Sequence, residues 1–127
     1  IGDNCIIGPN SYIGNSVSIG DNTRIGAFSE IKDSIVMSDS IVGSYNSLVG
    51  TVVGNGTEFG TNVVANPSNR KVTYLDHTIS LSERGAMVGN RCIIGNRAVL
   101  AGGSILLEGA TIGEGEVYNA DFQGDTI

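Results

Sequence analysis

Few side chains in these 127 residues are equipped for chemistry. There is one histidine, His77, and there are two cysteines, Cys5 and Cys92; five of the seven basic residues, Arg70, Lys71, Arg84, Arg91 and Arg97, fall in one stretch. Arg91 and Arg97 stand six residues apart. If six is the structural period they share a wall, where two like charges repel unless an anion lies beside them. The phosphates of coenzyme A are candidate anions for such a pair. A lone histidine with no Cys-x-x-Cys spacing excludes the usual zinc sites, and it also excludes a three-histidine metal centre. No metal is expected. Gly is abundant, at 19 residues, but no Gly-x-x-x-x-Gly-Lys-Ser/Thr occurs, so the glycines are structural rather than a phosphate-cradling loop.

The bulk properties narrow the partners. Thirteen acidic residues against seven basic give a net charge of −6, which disfavours the phosphate backbone of nucleic acid and an anionic membrane surface. No apolar run approaches the ~20 residues that span a bilayer, and no basic-then-apolar leader opens the sequence. A cytoplasmic protein is the expectation, as one domain with its own core.

What must position these side chains is a repeat. Ile1, Ile7, Ile13, Ile19, Ile25, Ile31 and Met37 recur every six residues, with Gly after most of them and a small or β-branched residue four places on at Cys5, Ser11, Val17, Thr23, Ser29 and Ile35. A second run follows the same rule through Val88, Ile94, Leu100, Leu106 and Ile112, with Cys92, Ala98, Ser104 and Ala110 in the small slot. Six fits neither the 3.6 period of a helix nor the alternation of a strand. Short strands joined by tight turns, three to a triangular coil of about 18 residues, bring every aliphatic to a common axis as in a parallel β-helix. About seven coils would result. Gly after the aliphatic suits the corners, Asn and Asp suit the turns, and both cysteines become buried thiols that fill space.

The pattern is perturbed in the middle. Ser34-Ile35-Val36, Ser40-Ile41-Val42, Ser47-Leu48-Val49 and Thr51-Val52-Val53 repeat a triplet with steps of 6, 7 and 4. These boundaries predict a first run over 1–66, an extruded loop over 67–86, a second run over 87–116, and a cap over 117–127 in which Tyr118 and Phe122 cover the last coil. Loops of that length in a compact domain are usually functional or disordered. Ile1 already occupies an inward slot, so the pattern also predicts further chain upstream.

The hexads resemble those of the left-handed parallel β-helix proteins, chiefly acyltransferases; the left-handed coil and a homotrimer are what that resemblance implies. More narrowly, Ser29 to Met37, Leu48-Val49-Gly50, Phe59-Gly60 and Val64-Ala65-Asn66 look like the C-terminal domain of sugar-1-phosphate nucleotidylyltransferases of the bifunctional acetyltransferase type. The resemblance implies an upstream nucleotidylyltransferase domain, for which alone Mg2+ would be needed, and a β-helix that trimerises and binds sugar phosphate or acyl-CoA. It also implies an acetyl-CoA-dependent general base, a His three residues before a Tyr. In Ser44-Tyr45-Asn46-Ser47-Leu48-Val49-Gly50 that slot falls on Tyr45 or Ser44, and a tyrosine is a poor base near neutrality. The acetyltransferase base is therefore read as lost, with an active N-acetyltransferase toward an amino-sugar-1-phosphate as the alternative. Asn66 matches the family's asparagine after an aliphatic-Ala pair, and Arg70 or Lys71 stands near where its sugar-phosphate-binding lysines occur; His77 lies in the loop where some β-helix acyltransferases carry their base, from which it would reach across a trimer interface.

Overall fold

The computed structural model describes residues 1–66, 68–74 and 77–118, with side chains described over 1–66 and 85–118. Seventeen two- or three-residue strands stack in parallel as three walls. The first wall stacks Ile6–Ile7, Arg24–Ile25, Ile41–Val42, Glu58–Phe59, Ile93–Ile94 and Thr111–Ile112. The second stacks Tyr12–Ile13, Glu30–Lys32, Ser47–Val49, Val64–Ala65, Val99–Leu100 and Val117–Tyr118. The third stacks Ser18–Ile19, Ile35–Val36, Val52–Val53, Met87–Val88 and Ile105–Leu106. With six, six and five strands, the described residues complete five coils and two walls of a sixth, fewer than the seven that length alone predicts. The difference lies in residues that leave the walls, where Ser68–Tyr74 and His77–Arg84 pair as an antiparallel hairpin.

In every coil the second strand residue points to the axis, and Ile25, Ile31, Val36, Val42, Leu48, Val53, Phe59, Ile94 and Leu100 are buried there. Two expectations change. Val36 rather than Met37 takes the inward place, because the corner after Ile31 holds five residues instead of six; Met37 and Ile35 are exposed. Asp33 makes that short corner with φ +49°, a region Asp tolerates better than most residues. Gly50 repeats it with φ +63° between Leu48 and Val53. Likewise Asn46, not Ser47, occupies the small inward slot, so the triplets step by 6, 6 and 5.

That small slot is a polar ladder. Ser29 Oγ donates to the Gly43 carbonyl at 3.0 Å and accepts the Asn46 N–H at 3.2 Å; Ser40 and Thr51 reach the carbonyls of Gly54 and Ala65 in the same way. Cys92 joins the ladder, its Sγ 3.2 Å from the Leu107 carbonyl, and both cysteines are free thiols. Each rung ties one coil to the next while keeping a buried backbone group satisfied.

Glycine after the inward aliphatic is needed for closeness, not for φ. At Gly26 a Cβ would stand 2.5 Å from the Ser44 nitrogen and 2.6 Å from the Gly43 carbonyl carbon of the next coil. The left-handed backbone falls two residues later, at Asn10, Phe28, Tyr45 and Asn62 along one corner. Tyr118 continues the coil rather than leaving it: it pairs with Leu100, packs on the core, and donates its hydroxyl to the Ile105 carbonyl at 3.2 Å. Phe122 lies outside the described residues.

Candidate functional site

The corner between the first and second walls carries one column of left-handed residues: Asn10, Phe28, Tyr45, Asn62, Arg97 and Gly115. Each N–H from Phe28 upward donates to a carbonyl of the coil below: Phe28 to Pro9, Tyr45 to Ala27, Asn62 to Ser44, Arg97 to Thr61, Gly115 to Asn96. The column is therefore held at strand spacing, about 4.8 Å per coil.

Three members, Phe28, Tyr45 and Arg97, are out of character, and two of them are aromatic. A left-handed conformation costs an ordinary L-residue roughly 1–2 kcal/mol, and Asn or Gly bears it most easily. Phe28 and Tyr45 hold it with φ of 59° and 61° while 50% and 57% exposed. Their rings stack on each other, with centroids 5.2 Å apart and planes 6° from parallel.

Above the stack lies a hollow of about 310 Å³ lined by Tyr45, Thr61, Asn62, Asn96 and Arg97. Its rim is braced from the coils on either side. The Thr61 N–H donates to Asn96 Oδ1 at 2.8 Å, and Asn96 Nδ2 donates to Glu114 Oε2 at 3.2 Å. Glu114 Oε1 also stands 3.4 Å from the Arg97 guanidinium, so that charge is already met. From inside the coil, Asn46 Nδ2 donates to the Gly60 carbonyl at 3.0 Å and the Val63 N–H donates to Asn46 Oδ1 at 2.7 Å. Asn46 thus clamps both ends of the turn that carries Thr61 and Asn62.

Of the residues singled out from the sequence, the structure brings together Tyr45 and Arg97. Arg91 does not share a wall with Arg97: one hexad is a third of a coil, so Arg91 stands at the corner between the third and first walls, paired with Glu108. The shared wall expected of the two arginines is therefore absent. Asn66 lies across the second wall from Tyr45, where its Oδ1 accepts a hydrogen bond from Ser47 Oγ at 3.1 Å, at the foot of the hairpin. In that hairpin the backbone register sets Arg70 opposite Leu81, Lys71 opposite Ser80, and His77 opposite Tyr74; their side chains lie outside those described. Among the described residues no group of three or more His, Cys, Asp or Glu side chains could hold a metal.

Thr61, Asn62 and Asn96 escaped the sequence reading. Their signal was the turn dipeptide after each inward aliphatic and glycine, which reads as ordinary corner chemistry until the coil stacks three such turns beside an aromatic.

Residues 1–33 match the family model for the bacterial transferase hexapeptide, six repeats. No curated protein matches the chain in sequence. Among solved structures, the chain is similar to AntD, an N-acyltransferase from Bacillus cereus. In complex with dTDP and 3-hydroxybutyryl-CoA, AntD matches 96% of this chain and 73% of its own at 17% identity, with a TM-score of 0.80. A mutant AntD in complex with dTDP-4-amino-4,6-dideoxyglucose and coenzyme A matches 95% and 73% at 17% identity, with a TM-score of 0.79. At this identity the likeness is one of fold, and nearly the whole of this chain shares it.

Proposed function

We propose that this chain is an acyl-CoA-dependent N-acyltransferase domain acting on an amino sugar carried by a phosphate or a nucleotide. The observation that carries the reading is the match of nearly the whole coil to an acyltransferase whose solved complexes contain coenzyme A and a nucleotide-linked amino sugar. The hairpin supports it, because it departs from the corner between the second and third walls and takes Arg70, Lys71 and His77 out of the coil on one projecting element.

The reaction asks little of the protein beyond placement. The sugar amine attacks the thioester carbonyl, the C–N bond forms as the C–S bond breaks, and coenzyme A leaves as a thiol. The amine proton passes through a base to the departing sulfur. Holding both substrates in contact supplies much of the rate. His77 is the one imidazole in the sequence and so the base we assign, acting on a site shared with a neighbouring copy.

That neighbour docks on the third wall. Its outward row runs Ile35, Val52, Met87 and Ile105 in direct register, flanked by exposed Met37 and Leu107, and no strand of this wall contains a charge. The other two walls present Arg24, Glu58, Glu30 and Lys32. Contiguous exposed apolar rows of this kind mark interaction sites, and a flat wall of identical length on each copy suits closure as a homotrimer.

A second reading is favoured by Tyr45. Where the resemblance places a general base, its ring is a stacked plate, which suits the β-helix of a sugar-1-phosphate nucleotidylyltransferase that trimerises without acyl transfer. Thiol release from acetyl-CoA or 3-hydroxybutyryl-CoA, with glucosamine-1-phosphate, galactosamine-1-phosphate or nucleotide-linked amino sugars as acceptors, separates the two. Acceptor-dependent release supports the first; a stable trimer with none supports the second.

A further inference from the structure

The corner column reads, from one coil to the next, Phe28, Tyr45, Asn62, Arg97. Two long plates are followed by a short amide and then a guanidinium. Tyr45 and Arg97 are therefore two coil rises apart, about 9.6 Å at ~4.8 Å per strand. A flat ring in van der Waals contact on both sides needs roughly 7–8 Å between its neighbours. The hollow bounded by Tyr45, Asn62 and Arg97 is the gap left where a third plate would continue the stack.

We propose that this gap is a nucleobase slot. The base lies on the free face of Tyr45, Arg97 covers its other face, and the Asn62 amide meets donors and acceptors on its edge. Arg97 is suited to stacking rather than to clamping phosphate because Glu114 already answers its charge. The rest of the molecule supplies the contrast. Arg91 is a corner arginine of the same conformation, also paired with a glutamate, but the residues beneath it in its own column are Gly56, Asp39 and Asn22, and no ring stands there. Two bulky residues held left-handed and half exposed have no role in closing the coil, since Asn10 and Asn62 close the same corner.

The choice of ligand rests on the acyl-transfer reading, in which either the adenine of coenzyme A or the base of a nucleotide sugar supplies the ring. Calorimetric titration with adenosine 3′,5′-bisphosphate, dTDP, UDP and GDP tests the slot directly. Tyr45→Asn places in this column the residue already tolerated one coil on, so the fold is kept. At least one probe is expected to bind, at least tenfold more weakly to Tyr45→Asn and with little change to Tyr45→Phe, in line with the cost of losing one base-stacking ring. Tyr12→Thr, which removes an exposed tyrosine from the second wall, leaves binding unchanged. Binding of adenosine bisphosphate assigns the slot to coenzyme A, and binding of another nucleotide assigns it to the acceptor. Absence of binding by every probe, or equal binding by wild type and Tyr45→Asn, overturns the proposal. Thiol release separates the two readings: turnover with an unchanged KM in Tyr45→Asn sinks the slot alone, whereas Tyr45-dependent binding without any turnover sinks acyl transfer alone.

Discussion

Asn46 offers the sharpest test of how the coil holds its functional corner. The side chain is 2% exposed and satisfies two backbone groups of the next coil, the Gly60 carbonyl and the Val63 N–H. In Asn46→Ala both lose their partner inside the core, and each buried unsatisfied group costs about 1–3 kcal/mol. The expected loss is about 4 kcal/mol. For 127 residues the unfolding entropy is about 0.27 kcal/mol per degree, so the midpoint should fall by about 15 °C. Asn46→Ser is the control, because Ser29 occupies the equivalent slot one coil earlier and makes both the upward donation and the acceptance. It should lose about 1 kcal/mol or less. Thermal unfolding by circular dichroism measures the midpoint, and amide exchange at Val63 reports whether the opening is local. If Ala and Ser behave alike, or if Ala loses under about 1 kcal/mol, the ladder does not hold the coils as argued.

Other consequences follow from single positions. Val36→Lys buries an unpaired charge and should prevent folding or cost several kcal/mol, whereas Met37→Lys, on an exposed side chain, should change the midpoint by no more than a degree or two; the reverse order would restore the six-residue corner. Gly26→Ala drives a methyl into the Ser44 and Gly43 backbone and should cost about 1–3 kcal/mol, more than Gly109→Ala, where φ is +77° but no atom lies within 4 Å. Met87→Glu places a charge at the centre of the third wall's apolar row and should reduce the proposed trimer to monomer by light scattering while leaving the circular dichroism spectrum intact; the same oligomer in wild type and variant would remove that wall from the proposed interface.

The coil was legible because its signal is redundant. From Ile7 to Ile31 five inward aliphatics keep a strict step of six, and no other architecture needs that step. The short corner was not, because Ser34-Ile35-Val36-Met37 offers apolar residues at both 36 and 37, and the choice between them turns on whether Asp33 adopts a left-handed backbone. That one-residue slip also hid the aromatic pair. Phe28 and Tyr45 are 17 residues apart, and only a 17-residue coil stacks them. Arg91 and Arg97 misled for a related reason: neighbours along a hexad series stand on successive corners, and residues that stack are a full coil apart. The hairpin was visible as an interruption, but its strands were not, since pairing of Ser68–Tyr74 with His77–Arg84 leaves no trace in a search for sixes.

Acyl transfer itself is tested most directly by following the acyl group. With acyl-CoA carrying an isotopically labelled acetyl group and a nucleotide-linked amino sugar as acceptor, mass spectrometry should find the label on the sugar nitrogen, one mole for each mole of free coenzyme A. Label that stays on coenzyme A, or that appears only as free acetate, with folded protein and every acceptor offered, would contradict it.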